Sequence, residues 1–421
     1  MILISGCRRI CPKTGEDIGC DMIIDKGKVA DIGRFERSDR FEKIIDGAGL
    51  IAAPGLVDVH VHFRDSGQTH KEDLFTGARA AAAGGYTTVV CMANVSPALD
   101  TPEAVRDVLE RGGRAPVHVH TVGAVTEGLR GEKLTDFQAL KAAGACGVSD
   151  DGVPLRDPAV ALEAMARAAA CGLPISLHEE EPGLIGTAGV NAGRAAEALG
   201  LAGAPGISEC VMVARDLLLA AETGATVNIQ HVSTAGAVAL IRRAAADGVR
   251  VWAEATPQHF SLTEAAVLEK GTLAKVNPPL RTEADRLAVI EGLRDGTLNL
   301  IATDHAPHTK DEKAKSFTDA PSGMIGLETA LGLAVRELVR PGLLSYIELF
   351  RLMALNPAAL YGFDAGYLAK GGPADIVLFD ENAAWTVESF RSKSSNSPFV
   401  GETLPVKVKY TLCGGEVVYE G

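Results

Sequence analysis

The stretch Asp58–Asp65 reads DVHVHFRD, with His60 and His62 two residues apart and Arg64 two further on. Residues i and i+2 of a strand point to one face, so both imidazoles can meet one ion. Neutral imidazole is the commonest metal ligand in proteins. Taken alone, such a pair is as readily two hydrogen-bonded histidines in a core. The chain carries its own comparison, because His118 and His120 repeat the spacing. These two stand early in their run, with TVGAVT still to follow, so they are expected deeper in the fold and in a structural role. What sets the first pair apart is its company. Asp151 ends SDD, His178 ends PISLH, His231 ends TVNIQH and Asp304 ends LNLIATD. Histidines and carboxylates gathered at the ends of several apolar runs are the raw material of a metal centre.

A fold is needed that brings those run-ends together. Between Gly55 and His308 a β-rich run closing in polar residues is followed by an Ala/Leu-rich helical stretch, and a glycine restarts the cycle. The runs are GLVDVHVHF, YTTVVCMAN, PVHVHTVGAVT, ACGVSDDG, PISLHEE, TVNIQHVS, VRVWAEATPQHF and LNLIATDHAPH. The helical stretches between them, such as PEAVRDVLERGG and DPAVALEAMARAAACG, repeat apolar positions at three- and four-residue spacing. Alternating strands and helices imply parallel βαβ units. Eight units in roughly 250 residues are the size of a (β/α)8 TIM barrel, whose active site lies at the C-terminal ends of the strands. The barrel is expected over residues 51–363. Residues 1–50 and 364–421 alternate like short strands and turns, and neither is long enough to fold alone. Together they are expected to build one small β domain from both chain ends. KSSNSPFVGE reads as a surface loop, and KDEKAKSFTDAPSG as an exposed loop over the pocket.

Composition removes several function classes. The net charge of −13 argues against nucleic acid and anionic membrane as main partners. No apolar run approaches the length of a membrane span. The N-terminus, MILISGCRRI, reads directly as strand-like sequence, so no leader is expected. None of the eight cysteines forms a CxxC pair, which fits free thiols in a reducing compartment. A cytoplasmic protein acting on a small molecule is the expectation.

The blocks GLVDVHVHFRDSGQTHKEDL, SDDG, SLHEE, QHVST, EATPQHF, VNPPLR, ATDHAPHT and PSGMIGLET, with GGPADIVLFD and SNSPFVGETL near the C-terminus, resemble the amidohydrolase superfamily. Within it they resemble the dihydroorotases of longer chain, along nearly the whole sequence. The resemblance implies reversible ring closure of N-carbamoyl-L-aspartate to dihydroorotate, with loss of water, in de novo pyrimidine synthesis. It implies zinc, one or two ions per chain, with two the expectation. His60, His62 and Asp304 would hold one ion, His178 and His231 the other, and Asp151 would bridge them, with Asp150 the competing candidate. Many relatives bridge with a carboxylated lysine on the fourth strand, but no lysine stands between Lys141 and Lys270 here. Asp304 would also act as general acid and base. Arg64, Asn94 and His308 would hold the substrate carboxylate, and Asn277 the ring amide. The chain departs from the family at Ser66, Ala93 and Gln258, none of them a ligand candidate. Two other readings remain: another cyclic amidase such as a hydantoinase or allantoinase, and an inactive structural partner of aspartate transcarbamoylase. The aspartate bridge opposes the first, and the complete ligand set opposes the second. A homodimer, or an aspartate transcarbamoylase bound to an active chain, would be compatible partners.

Overall fold

The computed structural model describes residues 1–421. Five strands open the chain: β1 (Ile2–Cys11), β2 (Glu16–Asp25), β3 (Lys28–Gly33), β4 (Lys43–Asp46) and β5 (Ile51–Pro54). Eight short strands follow: β6 (Leu56–Val61), β7 (Tyr86–Cys91), β8 (His118–Thr121), β9 (Val148–Ser149), β10 (Ile175–Leu177), β11 (Val227–Ile229), β12 (Val251–Ala255) and β13 (Leu300–Ile301). The chain closes with β14 (Ile376–Thr386), β15 (Thr403–Cys413) and β16 (Glu416–Glu420).

Each of the eight β-rich runs contains one of the strands β6–β13. They pair in parallel as two arcs, β6–β7–β8 and β9–β10–β11–β12–β13. Parallel bridges from Gly123 to Val148 and from Val61 to His305 join the arcs at both seams, closing the barrel. The second seam is reinforced from within. The buried Asp58 carboxylate accepts hydrogen bonds from the Thr303 hydroxyl at 2.6 Å and from the His60 backbone N–H at 3.0 Å. One acid thereby ties the strand that carries His60 to the segment, just after β13, that carries Asp304. The helices form where the periodicity places them. Helix Pro158–Cys171 starts with the Asp157 side chain accepting from the Ala159 N–H and ends at Gly172, whose φ of 62° suits a residue without Cβ.

Both chain ends join a single sheet in the order β16–β15–β14–β5–β1–β2–β3, with β4 on β1. Successive β14 residues serve opposite faces, as strand geometry requires. Ile376 and Leu378 pack with Ile4, Met22 and Leu412 on one side, while Val377 and Phe379 join the barrel core on the other. All eight cysteines are free thiols. No helix is long and apolar enough to cross a membrane.

One expected surface loop is not on the surface. Ser394, Asn396, Ser397 and Phe399 are buried. Polar side chains mark a surface only where water satisfies them; here backbone does. Asn396 Nδ2 donates to the Ala306 and Gly323 carbonyls at 3.0 and 3.2 Å, and its Oδ1 accepts from the His308 N–H at 3.0 Å. Asn396→Ala would leave the buried Ala306 carbonyl and His308 N–H unpaired. A loss of about 2–3 kcal/mol is expected, read as a lower urea midpoint. Half of the residues 310–323 after β13 are exposed, as the loop's charges suggested, but Lys313 is buried. Its Nζ donates to the Pro321 and Gly323 carbonyls, and Lys275 Nζ donates to those of Phe317 and Ala320.

Candidate metal centre

The chain turns inward where the barrel strands end. His60 is the penultimate residue of β6, and His62 and Arg64 follow that strand. Asn94 follows β7, Asp151 follows β9, His178 follows β10, His231 follows β11 and Asp304 follows β13. Three of these residues leave the extended conformation abruptly, with φ of 58° at Arg64, 37° at His231 and 50° at Asp304. Left-handed backbone at a non-glycine residue costs about 1–3 kcal/mol and concentrates at functional sites. Arg64 is thus aimed by a turn and not by continued strand alternation.

Asp151 sits among the histidines. Its carboxylate oxygens lie 3.3 Å from His60 Nε2 and 3.3 Å from His62 Nε2. The same carboxylate is 3.6 Å from His231 Nε2 and 3.8 Å from His178 Nδ1. Asp304 Oδ1 is 3.0 Å from His62 Nε2 and 3.5 Å from His60 Nε2. His178 Nδ1 and His231 Nε2 face each other at 3.0 Å. Two groups able to hold an ion result, His60–His62–Asp151 and Asp151–His178–His231, sharing one aspartate. Asp150 points elsewhere, accepting from the backbone N–H groups of Val125 and Thr126 at 2.7 and 3.1 Å.

Electrostatics and polar satisfaction fit a cation. Burial works against charge on Asp151, but His60, His231 and His62 hold its carboxylate well below the usual range. Burial likewise works against charge on His60, but Asp151 and Glu254 raise it well above the ordinary imidazole value. Imidazoles gathered around a carboxylate are groups that exchange protons for a divalent ion. Asp151 Oδ1 is buried and accepts no hydrogen bond, leaving a lone pair free for such an ion.

The remaining site residues line one cavity of about 200 Å³ with the cluster on its floor. Arg64, Asn94, Asn277 and His308 all reach it. Arg64 donates from Nε to the Pro307 carbonyl at 3.3 Å and makes no ion pair within the protein. Its Nη2 lies 3.4 Å from His308 Nε2, which is itself 2.9 Å from the Ser322 carbonyl. Asn94 faces both ways: its Oδ1 is 2.8 Å from His62 Nδ1, and its Nδ2 donates to the Asp151 carbonyl at 2.9 Å. Asn277 Oδ1 accepts from the Ser322 hydroxyl at 2.9 Å. Ser66, Ala93 and Gln258 do not line the cavity; Gln258 is buried, donating to the Thr303 carbonyl.

Sequence reasoning missed the acids that contact the candidate ligands. Glu254, fully buried in β12, places Oε2 2.9 Å from His60 Nδ1, and its Oε1 accepts from Asn228 Nδ2 at 2.6 Å. Glu180 places Oε2 3.0 Å from His178 Nε2. A signal existed in both cases, an acid inside a barrel run at EATP and at HEE. His118 and His120 are away from the cavity, as expected, but they are not deep. β8 begins at His118, so the start of that run is the opposite mouth of the barrel, where His118 is half-exposed and His120 stacks on Phe363.

The closed barrel, the flanking sheet and the shared-aspartate cluster define an amidohydrolase-type enzyme. An L-hydantoinase (dihydropyrimidinase) from Arthrobacter aurescens has the same fold, with a TM-score of 0.89 and 27% identity over 100% of this chain and 96% of that one. The dihydropyrimidinase of Brevibacillus agri NCHU1002 shares the fold at a TM-score of 0.86 and 24% identity, over 99% of this chain and 95% of that one. Sequence narrows the class. Residues 49–237 match the Dihydro-orotase-like family model. A dihydroorotase of Clostridioides difficile (strain 630) is 52% identical over 419 residues, covering 100% of both chains. One of Lactococcus lactis subsp. lactis (strain IL1403) is 50% identical over 420 residues, covering 100% of this chain and 99% of that one. The chain belongs to the dihydroorotase family.

Proposed function

We propose that this cavity catalyses the reversible cyclisation of N-carbamoyl-L-aspartate to dihydroorotate, with zinc held in pairs by His60, His62, Asp151, Asp304, His178 and His231. The observation that carries the substrate assignment is Arg64. A guanidinium without a carboxylate partner faces a pocket floored by ligand groups, and burial works against its charge. Such a cation is completed by an anionic substrate, and its planar fork matches a carboxylate.

Bound zinc supplies a water acidified toward neutral pH and a Lewis acid for the ring carbonyl. The protein's own residues do the rest. Arg64 and His308 hold the substrate carboxylate at the rim, with Asn94 beside them. Asn277 presents its Nδ2, which has no partner within the protein, to the ring amide. Asp304 takes the proton from the attacking water and returns it to the ring nitrogen as the C–N bond breaks. In ring closure the same carboxylate moves the proton in reverse. Glu254 fixes the tautomer of His60 by accepting from Nδ1, so Nε2 keeps a lone pair for the metal. Glu254→Gln is expected to weaken zinc binding about 10- to 100-fold, measured by competition with a chromophoric chelator.

The substrate test compares dihydroorotate with dihydrouracil, the same ring lacking the carboxylate. Dihydroorotate should be strongly preferred. Arg64→Met should lower its kcat/KM by about 10- to 100-fold, the worth of a hydrogen bond to a charged group, and should barely affect dihydrouracil. Equal turnover of dihydrouracil or hydantoin would identify a different cyclic amidase.

A further inference from the structure

A second cluster of metal-ligating side chains lies at the opposite mouth of the barrel. His118 opens β8, Asp375 immediately precedes β14 and Cys413 ends β15. The barrel contributes one side chain and the flanking sheet two. His118 Nε2 is 3.3 Å from each Asp375 carboxylate oxygen. An imidazole nitrogen, a carboxylate oxygen and the Cys413 Sγ all lie within 4.8 Å of one another. Bonds of about 2.0–2.3 Å to a tetrahedral ion put ligand atoms roughly 3.3–3.8 Å apart, so the trio needs only a small contraction.

The trio is held in place. Asp375 is buried, and its Oδ1 accepts from the Gly414 N–H at 2.7 Å, leaving Oδ2 available. Cys413 Sγ has one weak partner, the Thr87 carbonyl at 3.6 Å. His118 and Cys413 face a cavity of about 380 Å³, whose wall also carries Glu416. That opening leaves room for water at a fourth position. A further histidine nearby, His120, is committed to its stack on Phe363, with ring centroids 4.1 Å apart.

We infer that His118, Asp375 and Cys413 form a separate binding site for a thiophilic divalent cation of the zinc class, fastening the flanking sheet to β8. Thiolate, imidazole and carboxylate together select such an ion over magnesium or calcium, which prefer oxygen alone. Binding exchanges the proton now shared between His118 and Asp375, and the thiol proton, for the cation. The site differs in kind from the catalytic centre, whose candidate ligands include no sulfur.

That difference supplies the test. Full-length protein loaded with Co²⁺ should show a near-ultraviolet thiolate-to-cobalt charge-transfer band, which ligands of nitrogen and oxygen alone cannot give. Cys413→Ser should abolish the band, remove one bound Co²⁺ per chain and leave dihydroorotate turnover in place. His118→Ala should weaken cobalt binding at the same site, while Cys7→Ser should leave the band unchanged. Absence of the band in the unaltered protein at saturating Co²⁺, or its persistence in Cys413→Ser, would overturn the inference and leave the trio an ordinary His–Asp ion pair beside a thiol.

Discussion

Asp304→Asn is expected to lower kcat for dihydroorotate ring opening by about 10²–10⁴-fold, the range for losing a positioned general acid–base. The substitution preserves shape, but an amide cannot accept the water's proton. Burial opposes charge on Asp304, while His62 and His60 hold its carboxylate below the ordinary range. KM should change far less than kcat, because the proposed role of Asp304 is on the reacting atoms and that of the rim residues is to hold the substrate. A parallel rise in KM with unchanged kcat would assign Asp304 to binding instead. Thermal unfolding of the variant should stay close to that of the unaltered chain, which separates a chemical loss from a folding loss.

The second large effect concerns the shared carboxylate. Asp151→Asn should weaken metal binding at both positions, by more than the 10- to 100-fold that loss of an outer hydrogen-bond partner costs. One side chain stands within 3.3–3.8 Å of four imidazoles, so neither position is complete without it. Metal analysis after gel filtration should show the variant largely depleted. Asp150→Asn is the matched control. Its carboxylate serves Val125 and Thr126, so that variant should lose stability while keeping its metal. Full metal in Asp151→Asn and depletion in Asp150→Asn would reverse the assignment.

Much of the site could be read from the chain because barrel geometry converts position within a run into position in space. A residue closing a β-rich run reaches the C-terminal mouth, whichever run it belongs to, and so His60, His178, His231 and Asp304 could be grouped before any coordinates. The flanking sheet was legible from alternation, as Ile376 to Phe379 show by serving two cores in turn. What stayed hidden depends on partners distant in sequence. Glu254 lies 194 residues from His60, and nothing in EATP states which strand it faces. Asn396 resembles a solvated loop residue until Ala306, His308 and Gly323 are seen to use it. Lys313 looks like a surface charge, yet backbone carbonyls of its own loop satisfy its ammonium. His118 shows the reverse: an early place in a run suggests depth, but a four-residue strand has its other mouth there.

The most direct measurement is the cyclisation itself. Purified, zinc-loaded protein is incubated with N-carbamoyl-L-aspartate, and dihydroorotate is followed by its ring absorbance, with the reverse reaction run beside it. Turnover is expected in both directions, abolished by chelation and restored by zinc. Protein that binds zinc with the expected ligands yet interconverts neither compound would contradict the proposed function.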